Sequence, residues 1–243
     1  MRSYLTLTVD QVRAGGAPTA TDADALVVDL DAGRAGPVGD PERAAVAAWL
    51  RAQAQTRTRN DVPTPVWVRI TPGPLGHEHV RDLVGAGLRR VSVAHTESTV
   101  QLDALDAVLS TVELEAGLPV RSIVVSPVLE SASGVLAAAG IARAARVVGL
   151  SLVEEGLLGE LGLDPSPDER ELSWIRSQVV LASAAAGIAA PVGSPPVDGT
   201  DLARLRCTSD ALRRAGFGGR ACATPDQVAI VNDVFGPEPR RLD

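Results

Sequence analysis

Lysine is absent from this 243-residue chain, so all 23 basic residues are arginine. A Schiff base needs a lysine amine, which excludes imine-forming aldolase chemistry and pyridoxal-phosphate chemistry. The phosphate-cradling P-loop also needs its lysine, so a Walker-type nucleotide hydrolase is excluded. Aromatic residues are only 2% of the chain, so the core must come from Ala, Val and Leu. The two cysteines, Cys207 and Cys222, lack C-x-x-C spacing and have no histidine nearby, which argues against zinc. They are expected as reduced thiols of a cytosolic protein. With a net charge of −7 and a pI near 5.0, the chain has no basic excess for nucleic acid. No apolar run reaches membrane-spanning length, and Met1-Arg2-Ser3-Tyr4 leads into a strand-like stretch rather than a signal-peptide core. The expected location is the cytoplasm, with no membrane partner.

What is present is a repeated pattern. Ala25-Leu-Val-Val-Asp29-Leu-Asp31, Val66-Trp-Val-Arg69, Val91-Ser-Val-Ala-His95-Thr-Glu97 and Ile123-Val-Val-Ser-Pro-Val-Leu-Glu130 are apolar runs that end in charged or titratable residues. Buried strands with polar C-terminal ends, each followed by a helix, predict a single (β/α)8 TIM barrel over residues 1–243 with its site at the C-terminal rim. Strands are expected at 3–9, 25–30, 66–70, 90–94, 122–128, 146–152, 189–192 and 220–223. Helices are expected at 41–55, 78–86, 98–109, 133–144, 168–186, 201–215 and 225–235. Asp40-Pro41-Glu42 and Thr224-Pro225-Asp226 are helix starts, a capping residue before an N1 proline. Gly87, Gly117, Gly140, Gly187 and Gly216 stand where helices should end. The first unit, 11–23, is short and glycine-rich. Two Pro/Gly-rich loops, 71–76 and 192–199, should lie on the rim face.

The barrel brings Asp29, Asp31, Arg69, His95, Glu97 and Glu130 to one rim, with Glu154 and Glu155 just past strand six. Arg69 can hold a carboxylate or enolate through a two-point fork, or sit in a salt bridge to Asp29 or Glu130. Carboxylates at adjacent strand ends can hold Mg2+ with water and substrate oxygens. His95 is placed as a general base or as a plain hydrogen-bonding residue. Asp29 is either a structural acid or a ligand. His77 and His79 are two apart at a helix start and do not face together.

These residues, in order, resemble the citrate lyase beta-subunit branch of the HpcH/HpaI aldolase superfamily. The likeness rests on Arg2-Ser3, Asp29-Leu30-Asp31, Val68-Arg69-Ile70, Glu97-Ser98 and Glu130-Ser-Ala-Ser-Gly134-Val. It continues through Glu160-Leu-Gly-Leu163, Gly216-Phe217, Pro225, Gln227-Val228 and Asn232-Asp-Val-Phe235. The resemblance implies a Mg2+-dependent carbon–carbon lyase acting on a 3-hydroxyacyl-CoA thioester such as citryl-, malyl- or citramalyl-CoA, or on a related 2-oxo or hydroxy acid. It implies that Arg69 polarises the carbonyl or enolate oxygen, with Asp29 and Asp31 on the substrate, and that Glu130 is a metal ligand. It also implies a homo-oligomer, a trimer or hexamer.

The chain departs from the family pattern at several positions. Gly156 stands where the family's second metal-binding aspartate falls, with Glu155 one residue earlier as its substitute. Ala32 replaces an acid, Ser133 an arginine, His95 a lysine and Thr224 a histidine. The chain ends soon after Phe235, without the C-terminal extension of many relatives. Three functions follow: a lyase with a modified site, a thioesterase-type hydrolase on the same scaffold, or a non-catalytic barrel that has lost its metal site.

Overall fold

The computed structural model describes residues 1–15, 22–31, 38–55, 64–166, 168–196 and 200–236. Eight parallel strands close into a barrel in chain order, each neighbour in sequence being the neighbour in space. The strands are β1 (Ser3–Thr8), β2 (Ala25–Asp29), β3 (Val66–Ile70), β4 (Arg90–Val93), β5 (Val124–Leu129), β6 (Ser151–Leu152), β7 (Val192–Gly193) and β8 (Gly219–Cys222). Between and after them run α1 (Val9–Arg13), α2 (Asp40–Gln55), α3 (Pro74–Val84), α4 (Thr99–Glu115), α5 (Ala132–Ile141), α6 (Glu154–Leu161), α7 (Ser173–Ala186), α8 (Leu202–Ala215) and α9 (Pro225–Val234). The expected TIM barrel is therefore the fold. Among the described residues no helix is long and apolar enough to cross a membrane.

The strands form because their outward side chains are β-branched or leucine and seal against the helices. Leu5, Leu7, Leu26, Val28, Val68 and Ile70 are each at most 3% exposed. The main apolar core is this layer between sheet and helices. The inward side chains are smaller and more polar, as shown by Thr6, Ser92, Ser126 and Ser151. Pairing aligns Asp29 with Arg69, Arg69 with Ser92, and Ser92 with Ser126. That register sends all four side chains to the inside, because side chains alternate faces with a period of two.

Several boundaries move for local reasons. Helix α3 starts at Pro74 rather than residue 78, because Gly73 at φ +88° turns the chain and Pro74 supplies the fixed first helical φ. The expected 146–152 strand shrinks to one bridge at Val147 and the pair Ser151–Leu152. Arg146 takes φ +67°; its carbonyl still accepts the Val125 N–H at 2.8 Å, while its guanidinium binds α4. Helix α6 was not expected; it begins directly after β6. The 168–186 helix divides at Glu169, φ +52°, into a 3-10 turn at Arg170–Leu172 and α7. Gly140 lies inside α5 rather than beyond its end. Ala32 and residues 197–199 of the second Pro/Gly loop lie outside the described residues, as does much of the 11–23 unit.

Two buried ion-pair groups brace the outer layer. Glu113 and Arg146 have side chains with no exposure, and the Arg146 guanidinium meets Glu113 at 2.8 and 2.9 Å. Glu113 also accepts the backbone N–H groups of Arg121 and Ile123, each at 2.7 Å. Burial alone would raise its pKa; the Arg146 and backbone hydrogen bonds override it and hold the carboxyl below its ordinary value. On the far side of the barrel Arg176 binds Glu154 at 2.6 Å and Glu169 at 2.6 Å.

Candidate functional site

The rim cluster forms where β2, β3, β4 and β5 end. Asp29 closes β2 and Asp31 follows two residues later, its backbone N–H donating to Asp29 Oδ1 at 2.8 Å. Arg69 rises from β3 between them. Its Nη1 lies 3.1 Å from Asp29 Oδ2, and its Nη2 lies 2.8 Å from Glu130 Oε1 and 3.5 Å from Asp31 Oδ2. Arg69 therefore stands at the rim in the salt bridge to Asp29 and Glu130 that was one of its two expected roles. Burial would lower its pKa, but the charges of Asp29, Glu130 and Asp31 raise it above its ordinary value. Its Nε is buried and has no hydrogen-bond partner among the described residues.

His95 completes the cluster. It follows β4 in the left-handed region, φ +47°, which turns its ring back over the rim. Nε2 lies 3.1 Å from Asp31 Oδ2, Nδ1 lies 3.4 Å from Glu130 Oε2, and the backbone N–H donates to Glu130 Oε1 at 3.2 Å. More than half of the side chain, 58%, faces solvent, whereas Asp29, Asp31 and Glu130 are nearly buried. Both contacts are hydrogen bonds only in the doubly protonated ring. A neutral ring donates to one carboxylate and keeps the other nitrogen as a base.

Other rim candidates are drawn elsewhere. Glu97 accepts the Ser131 hydroxyl at 2.6 Å and so supports the start of α5. Glu154 is buried in the pair with Arg176 and donates its backbone N–H to Ser194 Oγ. Glu155 is exposed on the first turn of α6 and lines the cavity beneath the rim. Gly156 approaches the Glu130 carbonyl so closely that an added Cβ would lie 2.8 Å from its oxygen. Position 156 therefore has no room for a carboxylate on this backbone. His77 and His79 sit in α3; His79 is 1% exposed, and neither of its ring nitrogens has a hydrogen-bond partner among the described residues.

Hard carboxylate oxygens are present. However, Asp29 and Glu130 are engaged by Arg69, and His95 spans Asp31 and Glu130. Among the described residues no three His, Cys, Asp or Glu side chains form a group that could hold a metal ion. A divalent cation at these oxygens would have to displace Arg69 or His95 from them.

Some motif residues turn out to close the barrel at its opposite end. Arg2 pairs with Asp24 at 2.9 Å, the Ser3 hydroxyl donates to Asn232 Oδ1 at 2.7 Å, and Asn232 Nδ2 donates to the Asp22 carbonyl. On the rim side, Gln227 accepts the Ala223 N–H at 2.7 Å and Glu160 accepts the Ala132 N–H at 2.8 Å. These contacts are architectural. Residues missed from the sequence are Trp67, Ser92, Ser126 and Ser151, which line the barrel interior. Their signal was available: each serine interrupts an apolar strand at an inward position.

Comparison with known proteins gives a consistent outcome. A family model described as HpcH/HpaI aldolase/citrate lyase matches residues 13–225. Citrate lyase subunit beta of Leuconostoc mesenteroides subsp. cremoris is 27% identical over 171 residues, covering 70% of this chain and 56% of that protein. A (3S)-malyl-CoA thioesterase of Cereibacter sphaeroides is 26% identical over 193 residues, covering 68% of this chain and 66% of that protein. Among solved structures, the citrate lyase beta subunit of M. tuberculosis complexed with oxaloacetate and magnesium superposes with a TM-score of 0.72. It is 23% identical, over 97% of this chain and 96% of that one. RipC of Yersinia pestis superposes with a TM-score of 0.76 at 20% identity, over 100% of this chain and 98% of that one.

Proposed function

The chain belongs to the HpcH/HpaI aldolase/citrate lyase family, and on that premise we propose that it cleaves the C2–C3 bond of a 3-hydroxyacyl-CoA thioester without a resident metal. The observation that carries this reading is His95, held between Asp31 and Glu130 beside Arg69 at the C-terminal mouth of the barrel. A neutral His95 nitrogen takes the proton of the 3-hydroxyl. The C2–C3 bond then breaks, releasing a carbonyl compound and sending its electron pair onto the thioester carbonyl as an enolate. Arg69 at the rim stabilises the charge on that oxygen, and charge stabilised by a preorganised cation lowers the barrier. The imidazolium returns its proton to C2, giving the shortened acyl thioester. Asp29 and Asp31 fix the orientation of Arg69 and His95. Aligned carboxylates keep such groups in reacting geometry.

A second reading has its own support. The exposed His95 paired to Asp31 can equally activate water, and one relative is named a thioesterase. The substrate would then lose CoA with its carbon skeleton intact. Self-association as a trimer or hexamer is also part of the proposal; Leu136 on α5 and Leu181 on α7 are 74% and 63% exposed on helices that pack together.

The test is incubation with a panel of 3-hydroxyacyl-CoA thioesters in EDTA, followed by mass spectrometry. A shortened acyl-CoA is expected, with His95→Gln slowing the reaction by about 10²–10⁴-fold, the usual range for a general acid–base group. Free CoA with an intact hydroxy acid assigns the hydrolase instead. Activity that appears only on adding Mg2+ overturns the metal-free mechanism, and no turnover of any thioester leaves the non-catalytic reading.

A further inference from the structure

The barrel interior is hollow. A TIM barrel is ordinarily filled by layers of Val, Ile and Leu. Here Thr6, Ser92, Ser126, Ser151 and Ala221 occupy inward positions, and the side chains leave a cavity of about 330 Å3. That is roughly twice the ~150 Å3 engineered cavity that admits benzene, so the volume suits about a dozen carbon atoms. It also falls within the range of small-molecule sites, about 300–1,000 Å3.

The cavity has a direction. Asp29 and Arg69 stand at one end, and Val148 and Ala189 at the other. Its wall is mainly hydrocarbon, and below the charged rim its polar groups are the hydroxyls of Tyr4, Thr6, Ser92, Ser126 and Ser151. Trp67 is 5% exposed and lines the cavity one inward layer below Arg69.

We infer that the barrel interior is a chamber for an apolar chain whose polar head lies at the level of Arg69. Resting on the reading above, this makes the substrate an acyl thioester with an apolar acyl tail rather than a compact dicarboxylic one. The inward serines are then specificity-determining residues. Their small side chains leave the room that Leu or Val would take.

The experiment is calorimetric titration of the full chain with straight-chain 1-alkanols from four to ten carbons. The alcohols carry one hydroxyl that the inward serines can pair and need nothing from the rim. Affinity is expected to climb about fourfold per methylene until the chamber is full, the value of a buried CH₂. Ser126→Leu and Ala221→Leu, on separate strands, should each abolish the climb; both are checked for wild-type circular dichroism and melting. A flat series overturns the chamber, and so does a climb that persists in both filled variants, which would place the tail on an outer face. Turnover of 3-hydroxybutyryl-CoA, assayed in parallel, reports on the rim alone. Alkanol binding without that turnover keeps the chamber and removes the lyase reading; the reverse keeps the lyase and removes the chamber.

Discussion

Replacing Arg69 with methionine tests whether the rim is an electrostatically coupled unit. The substitution keeps most of the stem length but leaves Asp29, Asp31 and Glu130 facing one another with no guanidinium among them. Their contacts to Arg69 are 3.1, 3.5 and 2.8 Å, and the Arg69 side chain is 20% exposed. Breaking a buried ion pair by removing one partner costs about 3–5 kcal/mol. The rim location favours the lower end, so about 3 kcal/mol is the working figure. For a chain of this size each kcal/mol shifts Tm by about 2–4 °C, giving a drop of about 6–12 °C. Differential scanning calorimetry at fixed protein concentration reads it, with urea midpoints as a second measure if melting is irreversible. The sharper readout is the double variant Arg69→Met with Glu130→Gln. Removing one of the three negative charges should recover part of the loss, so the double variant melts above Arg69→Met alone. A coupling of about 0.5–3 kcal/mol is ordinary for residues in one network. A Tm within 2 °C of wild type for Arg69→Met, or strict additivity in the cycle, refutes the coupled rim.

Two further predictions concern groups away from the rim. The folded-state pKa of Glu113 is lowered, so its contribution to stability is present above the ordinary carboxylate value of 4.5 and lost as pH falls through the folded value. Glu113→Gln should therefore be less stable than wild type at pH 7, with a gap that narrows as pH is taken below about 4.5; a gap constant from pH 7 to pH 3 contradicts the assignment. Burial pushes the Cys222 thiol up to about 12 despite the nearby Arg220 charge, whereas Cys207 is exposed. Iodoacetamide at pH 8 should modify one thiol per folded chain, at Cys207, and reach Cys222 only on unfolding. Equal labelling of both in the native protein would show that the β8 layer opens.

Much of the architecture is legible in the chain because it depends on local periodicity. The continuous apolar runs Ala25-Leu-Val-Val-Asp29 and Val66-Trp-Val-Arg69, with helices of regular spacing between them, admit few arrangements other than parallel strands joined by right-handed crossovers. The same register carries Asp29, Arg69 and Glu130 to one rim, so their proximity also follows from strand ends. Where prediction slipped, a long-range partner had overridden local preference. Arg146 turns to φ +67° with its guanidinium on Glu113 of α4, which cuts the strand short, and Glu154 left the rim for Arg176 on α7.

Composition and order by themselves decided that the chain cannot form a lysine imine, that it folds as eight β/α units, and which strand ends hold charge. Only the tertiary structure decided how those charges are used. His95 takes a left-handed turn and inserts between Asp31 and Glu130, and Gly156 packs onto the Glu130 carbonyl, leaving no space for a carboxylate. It also decided that the inward serines leave a cavity rather than a packed core. Residue types and spacings set which groups reach a face; distances of a few ångströms between separate segments set which of them pair, and those depend on the closed barrel as a whole.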